Sequence, residues 1–356
     1  MKIAVFLTSF HVGGVERVFI TLLNKWAEQG HNVFAFVMHN EGEYLGVFDD
    51  RVTIVNLNCT NLWKTFFKVS SLLKHFKIEY FMVGKDMENV FFIFMKIFTR
   101  CKAKIVISQH NYFYLDKVGR KSLTAHFLPK FMKLLYRYSD LIVCVSKGIE
   151  RYVKTLNVKT GQTAVIYNPM DMDEVILAGK ELIKETGRFI CFCGRLSAIK
   201  NVRLLIDGFD FFQKCNPDYK LLLIGGGDEE GLKKMVKDKK LSDKVIFVGS
   251  VSNPHCYVSK SEVLVLPSFS EAFPMVICEA FANGITVVST PSGGPNELLA
   301  EGRGYLLSNF DDAQEMADAI ENACKNPIPP HILQNYVKQF NSDDVAKQYT
   351  TAFGKL

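Results

Sequence analysis

The chain has 356 residues, of which 48% are hydrophobic and 22% charged, and its formal net charge is +6. This length is too great for one ordinary core and predicts two globular domains. No apolar run is long enough to span a bilayer, since the best candidate, residues 90–98, is short and contains Lys96. The apolar run at the N-terminus lacks a small-residue cleavage site, which indicates a buried strand rather than a signal peptide. Nine cysteines without a CxxC pair argue against zinc and a disulfide framework and favour a reducing cytosol.

The positive charge is concentrated in one segment. Between Lys64 and Arg137 there are 15 Lys and Arg against 4 Asp and Glu, a balance of +11, and the remainder of the chain carries −5. Lysines there alternate with aromatic residues and leucines, as in LWKTFFKVSSLLKHFK. Such basic amphipathic helices predict contact with an anionic membrane surface or an anionic acceptor, although they also fit helices with apolar faces in the core. We expect no nucleic-acid partner, because no DNA- or RNA-binding signature accompanies the charge.

In the first half of the chain, β-branched and aromatic runs alternate with helical stretches. This is the pattern of a parallel sheet wound by helices. Helices are predicted to begin near residues 14, 62, 87, 121 and 146. The predicted strands are residues 3–7, 32–37, 52–55, 80–83, 104–108, 141–145 and 164–166.

The second half repeats the pattern after the proline-containing loop at residues 166–171. Its predicted strands lie in RFICFCG, YKLLLIGGG, KVIFVG, EVLVLPS and ITVVST. We therefore predict an α/β protein with two doubly wound, Rossmann-like domains, residues 1–167 and 168–341. A final helix, residues 342–356, is expected to pack towards the first domain. Two such domains face to face leave a cleft at the carboxyl ends of their strands, where ligands bind in open α/β sheets.

The stretch SEAFPMVICEA carries two glutamates, Glu271 and Glu279, eight positions apart. Pro274 suits the first turn of a helix, so the helix is predicted to begin at Phe273 or Pro274. Both carboxylates can then face a cleft at the start of this helix, where free N–H groups favour an anionic or hydroxyl-rich ligand. The alternative is a solvated charge at each position.

Two further motifs follow predicted strands of the first half. Gly13 and Gly14 open a helix that also carries Glu16, and they can let backbone amides approach a phosphate or a sugar, or simply form a tight turn. His110 in ISQHN follows another strand, where site residues concentrate, although a lone histidine is more often structural.

The second half places cations and glycines after its strands. Arg195 and Lys200 share the loop GRLSAIKN, and a guanidinium with an ammonium suits a diphosphate without a metal, although solvated charges are the usual explanation. The glycine triplet at 225–227 and the pair at 293–294 allow either close packing or approach of a ligand.

Together, the strand followed by GG, the GRL motif with Lys200, the glycine triplet, and E-x7-E followed by GGPNEL resemble the retaining glycosyltransferases of family 4, which have the GT-B fold. The resemblance covers nearly the whole chain and is most specific in the second half. Family members commonly have an aromatic residue or glycine after the first glutamate, whereas this chain has Ala272 and Phe273.

The resemblance implies a role for each matching position. Glu271 would contact the donor sugar and Glu279 the ribose hydroxyls, while the two cations neutralise the diphosphate. The implied catalytic residues are His110, Arg195, Lys200 and Glu271, with Glu16 and His110 on the acceptor side and no metal. The implied donor-binding residues are Gly13, Gly14, Gly194, Arg195, Lys200, Glu271, Ala272, Phe273, Pro274, Val276 and Glu279.

The resemblance also implies the reaction. We expect transfer of a hexose or N-acetylhexosamine from a nucleotide diphosphate sugar, a UDP-sugar in preference to GDP-mannose, to a lipid-linked or lipopolysaccharide-type glycan. Retention would give an α linkage, and no cofactor is expected. The place of action would be the cytoplasm, peripherally on the inner face of the cell membrane. Two alternatives remain open: a nucleotide-sugar 2-epimerase and a non-catalytic sugar- or lipid-binding scaffold.

Overall fold

The computed structural model describes residues 1–11, 13–112, 123–159 and 161–356. The chain divides into two compact units. Unit 1 comprises Met1–Met170 and Phe340–Leu356, and unit 2 comprises Asp171–Gln339. Each unit contains one parallel sheet whose strands are connected by helices, which confirms the predicted doubly wound α/β class.

Unit 1 has a seven-stranded sheet in the order β3-β2-β1-β4-β5-β6-β7. The central strand β1 has five buried apolar residues in its six, as expected for a parallel strand covered on both faces. The order reverses beside β1, so the loops after β1 and β4 meet at the position where open α/β sheets bind ligands. The strands are β1 (Lys2–Leu7), β2 (Asn32–Val37), β3 (Thr53–Asn56), β4 (Tyr80–Val83), β5 (Lys104–Gln109), β6 (Leu141–Cys144) and β7 (Thr163–Val165). The helices are α1 (Gly14–Glu28), α2 (Leu62–His75), α3 (Asp86–Thr99), α4 (Leu123–Leu135) and α5 (Lys147–Lys154).

Unit 2 has a six-stranded sheet in the order β10-β9-β8-β11-β12-β13, and its order reverses between β8 and β11. The strands are β8 (Arg188–Cys193), β9 (Tyr219–Ile224), β10 (Val245–Gly249), β11 (Val263–Leu266), β12 (Thr286–Ser289) and β13 (Tyr305–Leu306). The helices are α6 (Met172–Gly179), α7 (Val202–Cys215), α8 (Glu230–Asp238), α9 (His255–Ser259), α10 (Met275–Ala282), α11 (Gly294–Leu298), α12 (Ala313–Lys325) and α13 (Pro330–Val337).

The last helix, α14 (Ser342–Phe353), belongs to unit 1 and packs against α1. The buried indole of Trp26 donates a hydrogen bond from Nε1 to the Ala346 carbonyl at 3.1 Å. Its ring centroid lies 5.8 Å from that of Tyr349 and 5.9 Å from that of Phe353. Tyr80 of β4 stacks on Phe353 at 4.8 Å. A segment more than 300 residues away in sequence therefore covers one side of the unit 1 core. Every helix of the described ranges is too short or too polar to cross a lipid bilayer.

Candidate active site

Two loops of unit 2 meet where the strand order reverses. Residues 194–201 follow β8 and contain a 3₁₀ turn, Ala198–Lys200, and residues 267–274 follow β11. The Phe269 N–H donates to the Ile199 carbonyl at 2.9 Å, which ties the two loops together. This backbone contact brings the side chains of Lys200 and Glu271 to the same place.

Lys200 and Glu271 form an ion pair at this position. Glu271 Oε1 accepts hydrogen bonds from Lys200 Nζ at 2.6 Å and from Ser268 Oγ at 2.6 Å. The two charged side chains are only 26% and 11% exposed, so each depends on the other to offset the cost of burial. The sequence singles out both charges but predicts neither their contact nor Ser268.

The loop after β12 fixes the backbone of Glu271. The Glu271 N–H donates to the Ser292 carbonyl at 2.8 Å, and the Gly294 N–H donates to the Glu271 carbonyl at 2.7 Å. A Cβ on Gly294 would lie 2.7 Å from the Ala272 carbonyl oxygen, so only glycine permits this approach. The 293–294 pair therefore includes a glycine that positions Glu271 through the backbone.

Helix α10 begins at Met275, and the prediction that it begins at Phe273 or Pro274 is wrong by one or two residues. Pro274 precedes the helix because its ψ of 105° is extended. Phe273 and Pro274 are buried, whereas Ala272 and Val276 are partly exposed. The amides of Met275 and Val276 have no acceptor in the described part of the chain, as expected in a first helical turn, and they remain available to a ligand.

Glu279 lies in the second turn of α10 and is buried. Its Oε2 is 3.9 Å from Nδ1 of His255 at the start of α9, and these side chains are 8% and 12% exposed. The sequence predicts Glu279 but not His255, because the five-residue α9 has too little periodicity to be seen.

The Arg195 side chain is exposed and pairs with no carboxylate of the described ranges. Its guanidinium is therefore available to a ligand.

The glycines that follow β8 and β9 have a backbone conformation that other residues rarely adopt. Gly194, Gly225 and Gly227 all have positive φ, at 155°, 125° and 146°. Cβ atoms on the latter two would lie 2.2 Å from the Gly194 carbonyl oxygen and 2.3 Å from that of Leu196. The glycine triplet thus packs the loop after β9 against the loop after β8, which supports the packing alternative.

The corresponding reversal point in unit 1 carries a polar cluster. The Lys85 ammonium contacts the Glu16 carboxylate and lies 3.2 Å from Thr8 Oγ1. Thr8 Oγ1 donates to Glu88 Oε1 at 2.7 Å, and both glutamates are buried. Glu16 is the only member that the sequence singles out. We call Thr8, Glu16, Lys85 and Glu88 the unit 1 cluster.

The two glycines that begin α1 have different surroundings. A Cβ on Gly13 would lie 2.2 Å from Glu16 Oε2, so Glu16 folds back over this residue. The equivalent position on Gly14 has no described atom within 4 Å, which leaves space beside the start of the helix.

Burial shifts the protonation of two groups in unit 1 in opposite directions. It raises the pKa of Glu88 to about 7, against the opposing effects of Lys85 and the Thr8 hydrogen bond. It lowers the pKa of His110 to about 4, so this imidazole is neutral at pH 7. His110 follows β5, and its Nε2 lies 2.9 Å from Ser108 Oγ.

The raised pKa of Glu88 predicts a pH dependence of stability. A buried carboxyl that resists ionisation stabilises the fold fully below its ordinary pKa of 4.5, and this contribution disappears as the pH rises through about 7. Glu88→Gln should abolish it. We expect wild type to lose about 1 kcal/mol more unfolding free energy than the variant between pH 6 and pH 8.

Urea unfolding followed by tryptophan fluorescence measures this difference, because both tryptophans, Trp26 and Trp63, lie in unit 1. The lowered pKa of His110 acts in the other direction, destabilising the fold as the pH falls below 6.5. It is present in both proteins and cancels in the comparison. Equal pH slopes for wild type and variant would contradict the assignment.

Two family models match consecutive parts of the chain. Residues 12–174 match Glycosyltransferase Family 4, and residues 175–340 match Glycosyl transferases group 1. The chain belongs to glycosyltransferase family 4. The family and the GT-B fold predicted from the motifs are thereby confirmed.

Relatives of this family 4 glycosyltransferase act on bacterial glycans. It is 28% identical over 337 residues to the N-acetylgalactosamine-N,N'-diacetylbacillosaminyl-diphospho-undecaprenol 4-alpha-N-acetylgalactosaminyltransferase of Campylobacter jejuni, with 90% of this chain and 89% of the relative covered. It is 24% identical to the O-antigen biosynthesis glycosyltransferase WclY of Escherichia coli, with 100% and 99% covered. The structure of Anabaena HepE in complex with UDP matches with a TM-score of 0.80 at 20% identity, with 100% of both chains covered, and shows the shared fold.

In this glycosyltransferase the structure brings together Lys200, Glu271 and Ser268, and in unit 1 it joins Glu16 to Lys85. His110 follows β5 in unit 1, and Glu279 lies in the second turn of α10 in unit 2, and neither belongs to these two groups of contacting side chains. The residues that the sequence does not single out are Thr8, Lys85, Glu88, His255 and Ser268. The sequence shows Thr8, Lys85 and Glu88 only as polar residues that follow β1 and β4. Their position indicates a shared site only once β1 and β4 are known to be neighbours in the sheet.

Proposed function

We propose that the protein transfers a hexose or N-acetylhexosamine from a nucleotide diphosphate sugar to a lipid-linked or lipopolysaccharide-type glycan, with retention and an α linkage. The observation that carries this proposal is the part-buried Lys200–Glu271 pair at the strand reversal of unit 2, next to the unpaired amides of α10. A UDP-sugar is the preferred donor, and GDP-mannose is the second choice. The lipid-linked acceptors named for the Campylobacter relative support this acceptor class.

The cations of the loop after β8 would bind the donor diphosphate. Lys200 is held in place by Glu271 in the free protein, and the exposed Arg195 has its fork of donors available. As the bond to the sugar breaks, negative charge grows on the departing diphosphate. Fixed cations and the positive end of α10 would stabilise that charge without a metal ion.

The carboxylates would recognise hydroxyl groups rather than attack carbon. Glu271 Oε1 already accepts hydrogen bonds from Lys200 and Ser268, which makes this carboxylate a poor nucleophile and a suitable acceptor for sugar hydroxyls. Glu279, on the same helix, would hold the ribose hydroxyls.

Unit 1 carries further groups that suit a sugar and a phosphate. Gly14 leaves space for a phosphate beside the start of α1, and the neutral imidazole of His110 can hydrogen-bond the sugar without adding charge. Glu16, held in place by Lys85, would accept hydrogen bonds from acceptor hydroxyls. The enzyme would act in the cytoplasm, peripherally on the inner face of the membrane that holds the acceptor lipid.

Calorimetric melting with UDP, GDP, ADP and their sugars, all in EDTA, tests the donor site. A ligand at about a hundred times its dissociation constant adds roughly 2.7 kcal/mol of stability. We expect a selective increase in the melting temperature of unit 2 with one nucleotide and one of its sugars. No shift with any of them, in a folded sample, would contradict the proposed function, and a shift that needs added Mg²⁺ would contradict the metal-free donor site.

A further inference from the structure

Three neighbouring helices of unit 1 expose large apolar side chains. The strand steps β3 to β4, β4 to β5 and β5 to β6 all run in one direction, so right-handed connections put α2, α3 and α4 on one side of the sheet. Trp63 and Phe67 of α2 are each 69% exposed and Phe98 of α3 is 65% exposed. We call the following exposed side chains the aromatic face: Trp63, Phe67, Phe94, Phe98, Phe127 and Phe131.

The α2 and α3 parts of this face are continuous. The buried ring of Phe66 contacts Phe67 at 4.9 Å, Phe94 at 6.2 Å and Phe98 at 5.8 Å between centroids, and Phe94 stacks on Phe98 at 6.3 Å. Scattered apolar side chains are normal on a protein surface, but a contiguous patch indicates an interaction site.

The exposed charged residues around the aromatic face are mainly cationic. Neither α2 nor the described part of α4 contains an acidic residue. The acidic residues of α3 are Asp86, which accepts a hydrogen bond from Gln109, and the buried Glu88. The exposed side chains of Lys64, Lys130 and Lys133 therefore meet no carboxylate on these helices.

A cationic cavity lies at the C-terminal ends of α2 and α3, and its lining begins at Ser70 of α2 and at Thr99 of α3. Its lining includes four basic residues, Lys74, Lys77, Arg100 and Lys102. None of these four pairs with a carboxylate of the described ranges. The one acidic residue in the lining, Glu79, accepts a hydrogen bond from the backbone N–H of Lys2 at 2.6 Å.

The backbone at two of these cations is unusual. Lys77 and Arg100 follow helices α2 and α3 with φ of 53° and 51°, in the left-handed region where helices ordinarily end in glycine. A side chain is disfavoured in that conformation, yet both helices have a basic residue there. These two basic residues therefore occupy positions where glycine would fit better.

We propose that the aromatic face and the cationic cavity form a docking site for the surface of an anionic phospholipid bilayer, with headgroup phosphates in the cavity and the aromatic rings at the level of the headgroups. This inference rests on the proposed function, since a lipid-linked acceptor requires the enzyme to work at a bilayer. Aromatic rings and lysine side chains are the groups that interfacial helices use. A second copy of the chain fits less well, because two such faces would bring together only positive charges.

The test compares binding of the full chain to phosphatidylcholine vesicles with and without phosphatidylglycerol. Lys77→Gly with Arg100→Gly should reduce binding to the anionic vesicles roughly 30-fold at low salt, because each cation near such a surface contributes a factor of about five to binding. The control, Lys240→Gly with Lys237→Ala, also removes two positive charges, but from unit 2. Lys240 is a matched position because its φ of 59° is also left-handed. This control should bind as wild type does.

A second variant separates the apolar contribution. Phe67→Ser with Phe98→Ser should reduce binding about 10-fold at low salt, because it removes apolar surface that would be inserted. Its effect should persist at high salt, whereas that of the basic pair should shrink.

The variant Lys77→Gly with Arg100→Gly also distinguishes a role in docking from a role in folding. Its melting temperature should equal or exceed that of wild type, since glycine relieves the left-handed backbone. A fall in melting temperature would show that these side chains serve the fold and would overturn the proposal.

Three other results would overturn it. These are failure of wild type to bind anionic vesicles, equal binding by all variants, and a wild-type dimer that the phenylalanine variant converts to a monomer. Nucleotide melting shifts, measured without vesicles, should be unchanged in every variant. If no nucleotide raises the melting temperature of the wild type, the proposed function is contradicted. Vesicle binding would still test the docking site in that case.

Discussion

Replacing Lys200 with alanine is expected to lower turnover by roughly 10²- to 10³-fold while weakening donor binding less, because the ammonium interacts most strongly with the charge that develops as the diphosphate departs. Lys200 lies 2.6 Å from Glu271 Oε1 in the free protein, so it is held in position before the donor arrives. The measurement is kcat and KM for the donor that the melting experiment selects.

A structural role for Lys200 would give a different result. Removing the lysine leaves the part-buried Glu271 carboxylate with Ser268 as its described partner, which alone can destabilise the loop. The double variant Lys200→Ala with Glu271→Gln removes that unpaired charge. If the double variant recovers stability and its turnover equals that of Glu271→Gln alone, the lysine serves only the fold and the prediction fails. Lys234→Ala, an exposed lysine of α8, is the control that should change neither.

Replacing Trp26 with alanine is expected to destabilise unit 1 by about 3–5 kcal/mol, the usual range for truncating a fully buried large aromatic side chain. The indole has no exposed surface, lies near two aromatic rings of α14, and donates a hydrogen bond to that helix. Its loss would leave a cavity between α1 and α14. Calorimetry should show the melting transition of unit 1 move to lower temperature while that of unit 2 stays in place.

The chain provides a matched control in its second tryptophan. Trp63 is 69% exposed on α2, so Trp63→Ala should change the unfolding free energy far less than Trp26→Ala does. Similar losses from the two substitutions would show that the α1–α14 contact contributes little to unit 1.

Local pattern predicts much of the fold because parallel strands are buried on both faces. Such strands are short apolar runs, and β2 and β4 are predicted with their observed ends. The pattern fails for β13, α6, α9 and α13, which have two to eight residues and too little periodicity. It places the start of α10 too early because proline fits both the residue before a helix and its first turn.

The sequence predicts a site residue only where that residue belongs to a motif within one continuous segment of the chain. Glu271, Glu279, Arg195 and Lys200 are found because strand-end motifs contain them. The unit 1 cluster is not, because Thr8 and Lys85 follow strands separated by more than 70 residues, and only the pairing of β1 with β4 makes their loops neighbours. Their contact depends on long-range strand order, which no local spacing encodes.

The placement of α14 in unit 1 has a consequence for biosynthesis. The chain leaves unit 1 after Met170 and returns to it at Phe340, so unit 2 is an insertion within unit 1. A ribosome will have translated all of unit 2 before it reaches Tyr349 and Phe353, the residues that cover Trp26. Until then the nascent unit 1 exposes an uncovered apolar surface on α1, to which a chaperone can bind. The part of the enzyme that is translated first is therefore completed last.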